Sequence, residues 1–345
     1  MNSSTKRPVA WLVIVVLTSL TALTVEACAS APAQDGSERV SLDAYAEWRR
    51  DDTIIVDGQR VRTGAATTFE GERARQFSEI QLGDEVRLTG VRLGDGSVLA
   101  TELEAKVNGS ALFEGDVRAA TDEIEALWLK EGMMFEPKED GGREVIGTMV
   151  TSGPKLARVE RITRRMLPPY LPAEAVRVHV VETDEWNAAA MGNGAVWVYT
   201  GLIDELSDDE LAIVIGHELA HFTHEHSRRG ARSGLLTQLL GLGALVAAEA
   251  IDNDVLRTSA QVAALLSMTA ALSNYSRNHE DQADRVGLRY VSEAGFDVGQ
   301  GPHLWARFRD KYGEQNPLVN FFLGSHSMPT DRIRNIEREL ALNYR

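Results

Sequence analysis

Residues 207–229 read SDDELAIVIGHELAHFTHEHSRR, and the rest of the chain is organised around them. Ser207 followed by Glu210 is the pattern of a capping box, so a helix starts here. Leu211, Val214 and Ile215 recur at helical spacing and give it an apolar stripe. His217 and His221 stand one turn apart, so both imidazoles leave the same face and can reach one cation. Glu218 lies beside them, placed to hold the water that completes an open tetrahedral zinc site. An HExxH match arises by chance in a chain of this length roughly once in a hundred. A chance match need not lie on a capped amphipathic helix, so the metal reading outweighs two solvated histidines.

Two histidines do not hold a catalytic zinc. The extended metzincin pattern would need glycine at position 224 and histidine at 227, and the chain has His224 and Ser227. The alternative is a carboxylate from a second helix. Downstream, 269–296 (TAALSNYSRNHEDQADRVGLRYVSEAGF) is free of proline and strongly helical, with Glu280 and Asp284 four apart. Glu280 could ligate. Asp284, one turn later, could accept the free imidazole N–H of a ligand histidine and fix its tautomer.

Three segments in order, HELAH at 217–221, YSRNHEDQAD at 275–284 and SHSMPTDRI at 325–333, resemble the signatures of the CAAX prenyl protease/HtpX-type zinc metallopeptidases. The likeness covers about residues 150–340. It implies His217, His221 and Glu280 as ligands of one Zn2+ per chain, Glu218 as general base, and Asp284 as the partner behind a ligand. It also implies that His326 lies near the metal, although Ser327 departs from the family's usual proline after that histidine.

At 345 residues the chain has room for two domains and a signal segment, and its 43% hydrophobic content suffices for a sizeable core. The net charge of −15, without a basic block, argues against a nucleic-acid partner. Lys6 and Arg7, the apolar run 9–23 and the small residues beyond it have the layout of a secretory signal. Cys28, the chain's one cysteine, follows Val25-Glu26-Ala27, which resembles a bacterial lipobox with an unusual Glu26. The expectation is a lipoprotein signal over 1–27, a lipidated Cys28 and a periplasmic, membrane-anchored envelope protein. An ordinary signal cut near Ala29–Ala31, or an uncleaved anchor, is the alternative.

Residues 28–40 are small and polar and read as a tether. From 41 to 107 short β runs follow, with Asp57-Gly58 and Asp95-Gly96 as hairpin turns. They suggest a small OB-like β-barrel, more a spacer or docking module than a nucleic-acid binder, because no basic–aromatic groove is visible. Residues 108–145 read as a connector with a helix near 122–134, and 146–345 as the zinc metallopeptidase domain. Within that domain 156–166 is a helix, 176–181 a strand carrying a packed His179, and 195–200 a strand whose edge could take an extended substrate. His224 reads as a solvated residue that could also line the site. His226 matches a histidine frequent in the family without being a ligand; His279 and His303 carry no signal. The apolar run 234–248 is too short to span a bilayer and is expected to cover the cleft or dip into the interface.

The fold class expected is therefore α+β: an α-rich zincin-type domain with a small sheet, preceded by the barrel. The function expected is peptide-bond hydrolysis in envelope proteins, with protein or peptide partners. The competing readings are a non-proteolytic envelope assembly factor, disfavoured by the intact Glu218, and an integral-membrane protease. His326 is the candidate oxyanion donor and, as a fourth ligand, a candidate gate.

Overall fold

The structure, a computed structural model, describes residues 38–107 (51 and 72 apart), 114–137, 143–169, 171–226, 229, 277–313 and 329–344. Residues 1–27 with Cys28, the apolar run 234–248 and His326 lie outside the described residues. Among the described residues no helix is long and apolar enough to cross a membrane.

Five strands make the first unit: β1 (Arg39–Arg50), β2 (Thr53–Val56), β3 (Gln59–Glu70), β4 (Glu85–Arg92) and β5 (Val98–Lys106). They close into a barrel in the order β1-β2-β3-β5-β4. β3 runs parallel to β5, and antiparallel pairing of β1 with β4 closes the ring. Alternate residues such as Leu42, Ile54, Val61, Val86, Leu88 and Leu103 point inward and fill it. Asp57 and Gly58, both at positive φ, form the two-residue β2–β3 turn that their identity announces. β1 already begins at Arg39, inside the stretch read as tether, because Arg39 and Val40 pair with Val91 and Gly90.

β1 carries one irregularity. Ala46 pairs with Val56 and Trp48 with Ile55, so Glu47 has no partner on β2. This is a bulge, and it turns the Glu47 side chain and carbonyl towards the second unit.

That unit contains α1 (Glu114–Glu131), β6 (Met133–Pro137), β7 (Arg143–Val150), α2 (Pro154–Met166), β8 (Arg177–Glu182), β9 (Ala188–Ala190), β10 (Ala195–Tyr199) and α3 (Thr200–Glu205). Among the described residues four helices follow: α4 (Asp208–Thr223), α5 (Arg277–Glu293), α6 (Gly301–Tyr312) and α7 (Pro329–Asn343). The sheet order is β6-β7-β8-β10-β9. Residues read as connector thus supply β6 and the start of β7 to this sheet and α1, which packs against it. β10, expected to offer an edge, is interior: β8 pairs with it in parallel and β9 antiparallel. Short β9, all alanine, is the edge strand, and its small side chains hide it from a propensity reading.

α4 starts as its sequence predicts. The Ser207 hydroxyl accepts from the Glu210 amide at 3.2 Å, and the Ser207 amide donates to the Glu210 carboxylate at 2.9 Å. Its residues from Glu210 to His221 are all buried, so the apolar stripe understates its role as the central helix. α5 crosses it with backbones nearly touching, because the helices meet at Gly216 and Gly287. A Cβ on Gly287 would lie 2.7 Å from the His217 amide nitrogen and 2.8 Å from the Gly216 carbonyl carbon. Both neighbours are backbone and cannot rotate away. Gly287→Ala should therefore destabilise the fold by about 1–3 kcal/mol, read as a lower denaturation midpoint. An unchanged midpoint would mean that the crossing yields without strain.

Candidate metal centre

The close crossing brings α5 under the polar face of α4, and three donors converge there. His217 Nε2 and His221 Nε2 lie 3.0 Å apart. Glu280 places Oε2 3.5 Å from the first and Oε1 3.3 Å from the second. Ligands about 2.0–2.1 Å from a tetrahedral zinc stand roughly 3.3 Å from one another. The spacing and the N,N,O donor set therefore fit such an ion, and all three residues are buried.

The next layer orients the donors. His217 Nδ1 lies 2.9 Å from Asp284 Oδ1, so it donates its hydrogen to the carboxylate and Nε2 keeps the lone pair. Arg332 of α7, fully buried, holds the same carboxylate through Nε to Oδ2 at 3.1 Å and Nη2 to Oδ1. Its Nη2 is also 2.7 Å from His217 Nδ1; two N–H groups cannot bond each other, so both donate to the oxygen between them. The guanidinium stacks on the Trp305 ring, 3.4 Å from its centroid.

Burial and the Arg332 charge push His217 towards neutrality. The Asp284 and Glu280 carboxylates outweigh them and hold its pKa up at about 9. The pocket thus favours positive charge where the donors meet, as a divalent cation provides.

His221 is oriented through His226. The two Nδ1 atoms lie 2.8 Å apart, and His226 Nε2 faces Gln282 Oε1 at 2.9 Å. An amide oxygen only accepts, so His226 carries its hydrogen on Nε2 and accepts from His221 on Nδ1. His221 Nε2 is then a lone pair, as a metal requires. Burial pushes His226 well below the usual histidine range, in keeping with this neutral form.

Glu218 is buried on the turn between His217 and His221. Its Oε2 accepts the backbone N–H of Ala190 on edge strand β9 at 3.0 Å. That bond ties the carboxylate to the strand bordering the site.

The other histidines divide clearly. His224, read as solvated, is 2% exposed, and its Nε2 donates to the Glu47 carbonyl of the barrel at 3.0 Å. It lies beneath the barrel, which a helical wheel cannot show. His179 is a packed residue that bonds Glu125 and tilts against Trp197. His279 stacks on His226 with ring centroids 4.6 Å apart, and His303 is exposed. Sequence reading missed the parts played by Arg332, Gln282 and Glu47. The first two sit inside the quoted 325–333 and 275–284 segments, so their signal was present; Glu47 had none.

Comparison with known proteins agrees with this arrangement. The model of peptidase family M48 matches residues 155–340, and a domain of unknown function, DUF5666, matches residues 45–104. Metalloendopeptidase OMA1, mitochondrial, of Bos taurus is 31% identical over 167 residues, covering 47% of this chain and 32% of the relative. The putative beta-barrel assembly-enhancing protease of Vibrio cholerae is 32% identical over 164 residues, 46% of this chain and 33% of the relative. Metalloprotease YcaL of Escherichia coli is 29% identical over 210 residues, 59% of this chain and 75% of the relative. The chain thus spans about a third of the length of the first two. With the family's model running over more than half of its residues, and all three converging donors inside the match, the chain belongs to peptidase family M48.

Proposed function

We propose that this protein is a zinc-dependent metalloendopeptidase of the bacterial cell envelope. The observation that carries the reading is the buried His217–His221–Glu280 cluster, with Asp284 behind one ligand and Glu218 between the histidines. Zinc, when bound, supplies Lewis-acid polarisation of the scissile carbonyl and lowers the pKa of attacking water. Glu218 takes that water's proton and delivers it to the leaving amine. The Ala190 N–H holds Glu218 in place while it does so. His326, just before α7, is the proposed oxyanion donor on motif resemblance.

The motif order supports the CAAX prenyl protease/HtpX-type grouping. The strand order, with β3 parallel to β5, supports an OB-like barrel. Substrates are proteins or peptides; the name of the Vibrio relative, a putative beta-barrel assembly-enhancing protease, supports misassembled envelope proteins as the class. Metal analysis paired with a casein cleavage assay tests the activity. The purified chain should carry about one zinc, lose cleavage with a chelator and regain it with zinc. Cleavage that survives complete metal removal would refute the reading.

The location rests on the sequence layout alone. Labelled palmitate should enter the wild-type protein in bacterial cells and be absent from Cys28→Ser. Absence of label from both, with a mature N-terminus beyond Ala31, would refute lipidation.

A further inference from the structure

We propose that Glu47, in the barrel, is a positioning residue for the metal centre: through Gln282 and His226 it fixes the tautomer and orientation of His221. The proposal rests on the metal reading above. Glu47 is 1% exposed although it belongs to a different unit from the ligands. The bulge in β1 removes it from the β1–β2 ladder and aims it at α5. There its carboxylate accepts from Gln282 Nε2 at 3.1 Å, from Arg285 Nε at 3.1 Å and Nη2 at 2.5 Å, and from the Gly58 amide at 3.1 Å.

Donor and acceptor identities make the chain directional. A carboxylate held by a guanidinium accepts only, so the NH2 of Gln282 must face Glu47. The Gln282 oxygen must then face the other way, towards His226 Nε2 at 2.9 Å and Arg229 Nη1 at 2.7 Å. From that oxygen follow the hydrogen on His226 Nε2, the lone pair on His226 Nδ1 and the lone pair on His221 Nε2. Were the Gln282 amide turned over, His226 would meet a donor, and His221 would be driven towards the tautomer with hydrogen on Nε2. Arg229 reinforces the link from the peptidase side, its guanidinium 3.4 Å from the centroid of Tyr45 on β1. The barrel is thus part of the ligand-orienting layer. Metal occupancy and barrel docking are coupled, and the coupling is reciprocal.

The competing role for Glu47 is purely structural, an ion pair with Arg285 that fastens the two units. Zinc affinity of the full chain, measured by competition with a chromophoric chelator, separates the two. Glu47→Ala and His226→Ala should each weaken zinc by about 10–100-fold. The double variant should be no weaker than the poorer single, because both cut the same chain. Trp48→Ala removes the ring that packs edge-on against Tyr290 at the same interface, 6.0 Å between centroids. It should lower the melting temperature and leave zinc affinity within about twofold. If Glu47→Ala fails to fold, Gln282→Leu breaks the same link from α5 and should show the same loss. A wild-type chain that takes up no zinc would overturn the metal reading and this proposal with it. Overturning of the proposal alone would come from a zinc-binding wild type whose Glu47→Ala or, failing that, Gln282→Leu variant binds within twofold. A loss in Trp48→Ala equal to that in Glu47→Ala would do the same.

Discussion

Glu218→Gln should abolish peptide cleavage while leaving zinc content near one ion per chain. The substitution keeps size and shape, and a glutamine oxygen can still accept the Ala190 N–H that pins the side chain. What it removes is the ability to take a proton from water and return it to the leaving amine. A positioned general base contributes about 10²–10⁴-fold, so cleavage should fall by at least that range. Metal content should not follow, because the proposed ligands are His217 and His221 of α4 and Glu280 of α5, and the substitution leaves all three in place. Activity within about tenfold of wild type would remove Glu218 from the role. Loss of zinc together with activity would make it a ligand instead.

The second expected result concerns Glu280 and Asp284, four apart on α5 and given different tasks by the geometry. Glu280→Ala takes away the carboxylate that reaches both His217 and His221, and zinc should be lost on dialysis against a mild chelator. Asp284→Asn keeps an oxygen for His217 Nδ1 but loses the charge that strengthens that bond, so affinity should fall by about 10–100-fold with coordination intact. It also leaves the buried Arg332 guanidinium with only the more distant Glu280 carboxylate at 3.9 Å, so the metal-free protein should melt at a lower temperature. Full zinc retention in Glu280→Ala would mean that another residue completes the site. An Asp284→Asn chain with wild-type affinity would reduce Asp284 to the partner of Arg332.

What could be read from sequence was what is encoded locally. The cap at Ser207, the one-turn spacing of His217 and His221, the positive-φ Asp57-Gly58 turn and the helical stretch holding Glu280 each depend on a few neighbouring residues. The sheet was harder. An all-alanine strand has no β signature, so β9 went unseen and β10 was given an edge that β9 occupies. His224 shows the limit most clearly. At the end of a polar turn it has every mark of a solvated residue, yet its partner is a carbonyl 177 positions earlier. The Glu47–Gln282 bond spans 235 positions. Contacts of that kind follow from how two units dock, and no local pattern carries them.

Arg332 adds a consequence in time. It stands 115 residues beyond His217 and is delivered by α7, which a ribosome makes after both ligand-bearing helices. Until it arrives, the Asp284 carboxylate has only His217 to offset its burial, which favours the protonated form. A protonated Asp284 keeps one acceptor oxygen but holds His217 less firmly in the ligand tautomer. A nascent chain therefore displays the whole HExxH helix and the Glu280 helix before either can be set for catalysis. The order of synthesis thus sets this metal site only after α7 has been made.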